Sequence, residues 1–260
     1  MAAEEGGIGG VAAREEEPLR RHLPLRACPG TAERWVEVPD EAALIAVVRA
    51  ARAGRLTLRP VAPFSDMMPP DGGLTGVVLR LGRAFETVEV VEGGVRIGAS
   101  APLALLAAHP GYGAFRMAPG TLNDAWEEGW ITPALVSVRR FKGRGIEETT
   151  EVGADPKALV LAGTVRPGVK LSVPRAGQAF REVAKRGLEL RALLRRCGLA
   201  GLRLFGALLA EEDPAVLVNR GDATPKQLRL VVHAARERVH TTTGLELTER
   251  IEAPGRGGRL

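Results

Sequence analysis

Residues 197–252 read CGLAGLRLFGALLAEEDPAVLVNRGDATPKQLRLVVHAARERVHTTTGLELTERIE. Gly198-Leu199, Gly201, Gly206, Asn219 and Gly221-Asp222-Ala223-Thr224 form a frame that is followed by an amphipathic helix and a terminal strand. PKQLRLVVHAARERVH reads as a helix, with Val231, Val232, Ala235 and Val239 at helical spacing and its end near Gly244. His233 and His240 stand two turns apart on that helix with no carboxylate to complete a metal set, so they are read as surface or half-buried histidines. The closing LELTERI alternates like a strand, with Leu245, Leu247, Glu249 and Ile251 on one face and Glu246, Thr248, Arg250 and Glu252 on the other.

Outward from this frame, AGQAFREV and then LELRALLRRC open the same C-terminal unit with an extended segment and a helix. Before them, residues 131–165 carry three strand-like pieces, TPALVSVRRF, GIEETTEV and ALVLAGTV, expected to build a small β-rich second lobe. Further back lie ETVEVVEGGVRIGA, two alternating strands about a Gly93-Gly94 turn, and PLALLAAH, a short helix. The first regular text is RWVEV, followed by a helix from Pro39-Asp40 through EAALIAVVRAARAG and a strand LTLRPV, a βαβ-like opening whose next loop, VAPFSDMMPPDGG, is a usual place to meet a ligand. Residues 1–24 mix glycine, alanine and charge without an apolar period, which implies a mobile extension.

The chain has 260 residues, 45% of them apolar, enough for real cores. Its net charge of +5 comes from 36 basic residues mixed with 31 acids, and aromatics make up only 4%. That pattern is a solvated surface with no specific nucleic-acid platform. Cys28 and Cys197 are far apart and imply neither a disulfide framework nor a zinc site. No apolar run approaches the roughly 18 residues that span a bilayer, and the N-terminus lacks the apolar core of a signal peptide, so no membrane insertion and a cytoplasmic location are expected.

The glycine frame, with Asn219 and Gly221-Asp222-Ala223-Thr224, resembles the closing domain of the UDP-N-acetylenolpyruvoylglucosamine reductases (UDP-N-acetylmuramate dehydrogenases), enzymes of peptidoglycan precursor synthesis. The strand, helix, strand, loop, hairpin order before it resembles their flavin-binding half, so the resemblance covers roughly residues 26–252. It implies an α+β fold: an FAD-binding domain of the PCMH, vanillyl-alcohol-oxidase-like type over 25–170 and a reductase C-terminal, substrate-type domain over 171–253. Extensions at 1–24 and 254–260 flank them. The family reaction passes hydride from NADPH to FAD and then to an enolpyruvyl double bond, so the resemblance also implies FAD, with NADPH where FAD is retained.

Carried over position by position, the family's phosphate-loop Gly-Ser-Asn falls on Phe64-Ser65-Asp66, where Ser65 remains a donor and Asp66 puts a carboxylate beside an anion. The flavin-lining Ile-Pro-Gly-Thr-Val-Gly-Gly falls on Ala118-Pro119-Gly120-Thr121-Leu122-Asn123-Asp124, keeping Pro119, Gly120 and Thr121 and losing the Gly-Gly pair. Trp126 and Trp130 follow, with a structural role expected. The proton-donor motif Ser-Ala-Gly-Ser-x-Phe-Lys falls on Arg175-Ala176-Gly177-Gln178-Ala179-Phe180-Arg181, so Gln178, whose amide cannot supply a proton, replaces the Ser. The family's Tyr-Arg pair has no counterpart, and its Ser and His before the Asn-Gly turn become Ala210 and Asp213. On the closing strand Arg250 falls on the family's Glu, while a one-residue slip would bring Glu249 there.

Two readings stand first, beside a third in which a binding module unrelated to cell-wall metabolism merely shares this architecture. One is a homologue without the standard reduction that binds a UDP-sugar or other anionic ligand, or a protein partner, in a cleft lined by Gly177, Gln178, Arg181, Asn219 and Arg250. The other is an active FAD-dependent oxidoreductase of the same family working on UDP-N-acetylglucosamine enolpyruvate or a different acceptor.

Overall fold

Alternating apolar residues in Thr31–Val38 form a strand, β2, at the centre of the first sheet in the computed structural model. The described residues are 7–23, 30–61, 68–127, 129–142, 145–152, 158–171, 173, 177–181, 188–221 and 223–250. Helix α1 (Glu41–Ala53) starts where Asp40 Oδ1 accepts the Ala43 N–H at 2.9 Å, and ends at Gly54. It lays Leu44, Val47, Val48 and Ala51 on the sheet. Strands β3 (Leu58–Val61) and β4 (Leu74–Leu81) then pair parallel, giving the order β1-β2-β4-β3.

The first strand of that sheet, β1 (Ala13–Pro18), corrects the expectation of a mobile extension. It pairs antiparallel with β2, and Ile8, Ala13, Leu19 and Leu23 are buried. Its charges hid it, because Arg14, Glu15 and Glu16 lie on the solvent side of an edge strand. Glu17 is buried, and His22 Nε2 lies 2.8 Å from Glu17 Oε1 with Arg14 and Arg21 nearby. The hydrogen bond with His22 is the main cause of a Glu17 pKa below the ordinary carboxylate value. The His22 ring stacks on Trp35 with centroids 3.8 Å apart.

Strands β5 (Val88–Val91), β6 (Gly94–Gly98), β7 (Leu135–Lys142), β8 (Gly145–Thr149) and β9 (Leu159–Val165) make one antiparallel sheet, ordered β5-β6-β9-β7-β8. The three pieces expected to form their own lobe therefore join the Gly93-Gly94 hairpin. Any Cβ at Gly94 would sit 2.1 Å from the Val165 carbonyl oxygen, which also accepts the buried Tyr112 hydroxyl at 2.6 Å. PLALLAAH forms a 3-10 helix, Leu103–Ala108, and α2 spans Leu122–Glu127. Phe85, Phe141, Leu159 and Leu161 share a core with α1, and Arg139 donates two hydrogen bonds to the Glu41 carboxylate at 2.6 and 2.7 Å. Both contacts tie the two sheets together.

The C-terminal unit has α3 (Leu190–Arg196), a small sheet of β10 (Arg203–Leu204), β11 (Ala207–Leu209) and β12 (Leu217–Asn219), and α4 (Pro225–Thr243). A full capping box between Thr224 and Gln227 starts α4, and Gly244, at φ 71°, ends it. The alternation expected for the closing strand fails: Leu247 and Arg250 are both buried while Thr248 and Glu249 are exposed. Among the described residues this stretch pairs only through a bridge from Glu249 to Phe180, so no continuous ladder enforces a period of two. The proposed tail at 254–260 lies outside the described residues.

Candidate functional site

Two segments far apart in sequence meet at Ala179. Its N–H donates to the Ala215 carbonyl at 2.7 Å, and its carbonyl accepts the Arg250 N–H at 2.9 Å. Leu217 N–H donates to Gly177 O and Arg181 N–H to Thr248 O, so residues 177–181 run as an extended connector between the start of β12 and residues 248–250. Gly177 has φ 75°, a left-handed conformation that suits glycine.

This connector brings Gly177, Gln178, Arg181 and Arg250 into one neighbourhood. Gln178 is 5% exposed, and its Nε2 donates to the Phe180 carbonyl at 2.8 Å. Its amide therefore braces its own backbone. Arg250 is 6% exposed, a cation held inside the unit, whereas Arg181 is exposed. Glu249, the residue that a register slip would bring in, instead accepts a hydrogen bond from Arg236 Nη1 at 2.7 Å on the exposed side.

Asn219 serves the turn after β12. Its Oδ1 accepts the Gly221 and Ala223 N–H groups, each at 3.2 Å, and its Nδ2 donates to Ala223 O at 3.0 Å. Asp213 binds Arg191 at 3.0 Å and accepts the Ala215 N–H at 3.2 Å, which fixes the turn before β12 that Ala179 joins. Ala210 lies at the end of β11, its N–H donating to Val216 O.

The second cluster is the turn before α2. Pro119 and Gly120 lead into a fully buried Thr121, and Gly120 has φ 67°. Asp124 Oδ2 accepts both the Thr121 N–H at 2.8 Å and the Thr121 hydroxyl at 2.9 Å. A Cβ on Gly120 would lie 2.6 Å from that same oxygen. The carboxylate thus folds back over the turn and caps the helix. The Thr-x-x-Asp spacing of a capping box carried this signal in the sequence. Trp126 is buried in the core of the five-stranded sheet, and Trp130 packs near Phe115 with centroids 6.4 Å apart. Ser65 and Asp66 lie outside the described residues. Among the described residues no His, Cys, Asp or Glu cluster could hold a metal ion, and no helix is long and apolar enough to cross a membrane.

Residues 169–253 match the family model described as UDP-N-acetylenolpyruvoylglucosamine reductase, C-terminal domain. The chain is 28% identical to the UDP-N-acetylenolpyruvoylglucosamine reductase of Rhodospirillum rubrum, covering 84% of this chain and 83% of the relative. It is 25% identical to that of Heliobacterium modesticaldum, covering 94% and 91%. Among solved structures, the reductase from Thermus caldophilus superposes with a TM-score of 0.69 at 22% identity, covering 92% of this chain and 99% of that one. The fold is thus that of the Thermus caldophilus reductase, an α+β domain followed by the reductase C-terminal domain. Residues 169–253 thus carry the C-terminal domain of the UDP-N-acetylenolpyruvoylglucosamine reductases, and along most of its length the chain is similar to these enzymes in sequence and in fold.

Proposed function

We propose that this chain does not carry out the NADPH- and FAD-dependent reduction and instead binds an anionic ligand of the UDP-sugar class in the cytoplasm. The observation that carries the reading is the pair at Ala179. The positions that the resemblance assigns to a proton-donating Ser and to a Glu are Gln178, whose buried amide braces Phe180, and Arg250, a buried cation. Neither group delivers a proton to a carbanion-like intermediate. A guanidinium in their place suits a ligand's diphosphate or carboxylate, with Arg181 as a second cation at the exposed end.

The residues at the flavin-lining turn fit FAD poorly. Both Thr121 donors are already committed to Asp124, and that carboxylate covers the face of Gly120 that a close-lying flavin would need. No step through a flavin is therefore assigned to this chain.

The test has two arms. Purified full-length chain incubated with FAD and desalted should show no bound flavin absorbance, and titration calorimetry with UDP-N-acetylglucosamine should show binding that weakens at least tenfold in Arg250→Ala. Retained flavin together with NADPH oxidation in the presence of UDP-N-acetylglucosamine enolpyruvate would establish the second reading, an active reductase. That reading is favoured by the fold match over 92% of the chain.

A further inference from the structure

The connection between β3 and β4 ends in Met68-Pro69-Pro70-Asp71, and this segment bonds to the other domain. Met68 is 1% exposed and belongs to the hydrophobic core of the C-terminal unit, with Leu228 and Val232 of α4. Arg229 reaches back along its helix, as helical side chains do, and its Nη2 donates to the carbonyls of Met68 at 3.2 Å and Pro69 at 3.1 Å. Asp71 Oδ1 accepts the Lys226 N–H at 2.9 Å across 155 residues of sequence.

The first turn of α4 explains why this acceptor matters. Pro225 has no N–H to satisfy, the Gln227 N–H goes to Thr224 Oγ1 and the Leu228 N–H to Thr224 O. Lys226 is the remaining donor of that turn, and the first domain supplies its acceptor as a carboxylate at the positive end of the helix. The other side of the segment is equally fixed. Gly73 N–H donates to Pro70 O, and Gly73, at φ 83°, packs so closely on β2 that a Cβ would lie 2.1 Å from Thr31 O.

We propose that residues 68–71 are an interdomain clasp that couples α4 to the parallel sheet, so that the helix opens only when the sheet opens. The clasp sits where the β3–β4 connection returns to the sheet, just before β4. A ligand that reorganises that connection must therefore work against the α4 cap, which gives the two domains a direct route of communication.

Native-state hydrogen exchange of the full chain in increasing urea tests this, with tryptophan fluorescence as a separate reporter because Trp35, Trp126 and Trp130 all lie in the first domain. In the wild type, peptides from α4 and β4 should open in one step, at the urea concentration where fluorescence changes. In Asp71→Ala/Arg229→Ala the first turn of α4 should exchange at least tenfold faster without urea while β4 keeps its rate. Asp71→Asn, which retains an acceptor oxygen, should behave as wild type. A separate, earlier α4 step in the wild type overturns the proposal even if the double variant does not fold. So does an equal acceleration of α4 and β4 in the double variant, since that is a general loss of stability without any coupling.

Discussion

Replacing Asp124 by alanine removes the carboxylate whose Oδ2 accepts two hydrogen bonds, and strands two donors. The Thr121 N–H and hydroxyl both point at Oδ2, at 2.8 and 2.9 Å, and Thr121 is fully buried, so water cannot take the acceptor's place without opening the turn. Hydrogen bonds to a charged group contribute about 1.5–3 kcal/mol each. The two share a single oxygen on a half-buried residue, which argues for the lower end, a total loss of about 2–3 kcal/mol. Urea unfolding should show it as a fall in midpoint of roughly 1 M at unchanged slope. Asp124→Asn keeps a neutral acceptor and should lose about 1 kcal/mol. A loss in Asp124→Ala below about 0.5 kcal/mol, or equal losses in both variants, would refute the capping argument. The same variant probes the flavin question. If Asp124 is what closes the turn, FAD added to Asp124→Ala should leave more bound flavin absorbance than FAD added to wild type.

Other outcomes follow from the two sheets of the first domain. The hydrogen bonds from Arg139 are the main cause of a Glu41 pKa below its ordinary 4.5. Its stabilising effect is therefore complete above about pH 4.5 and disappears as pH falls through the lowered folded value. Because the side chains are 38% and 36% exposed, solvent screening limits the effect to about 1 kcal/mol. The gap in urea midpoint between wild type and Glu41→Gln should exist at about pH 7 and narrow steadily as acid takes the pH below the ordinary carboxylate range; a gap undiminished in acid would contradict the assignment. Leu19→Ala, at a side chain 1% exposed against Leu23 and Trp35, should cost about 2–5 kcal/mol, whereas a residue in a mobile extension would cost nothing measurable by the same unfolding assay.

The sequence by itself determined whatever is decided within a turn or two of chain. Asp40 starts α1, Thr224 and Gln227 start α4 and Gly244 ends it, all through contacts four or fewer residues apart. The glycine frame of residues 197–252 carried the resemblance for the same reason, since Gly198, Gly201 and Gly221 hold turns at positive φ. The substitutions Gln178, Ala210, Asp213 and Arg250 were legible as letters out of pattern, while the bracing of Phe180 by Gln178 was not. The β1 strand was illegible because its charged positions face solvent at an edge and its few apolar residues gain meaning only against Trp35 and β2. Glu249 and Arg250 show the limit most plainly: their alternation could be written down, but without a continuous ladder the backbone turned Arg250 inward and Glu249 toward Arg236. Only the tertiary structure could set Ala179 between residues 215 and 250, or put Asp71 on the first turn of α4. Those contacts join groups separated by some 36 to 155 residues, and the free energy that selects them comes from packing that no local pattern encodes.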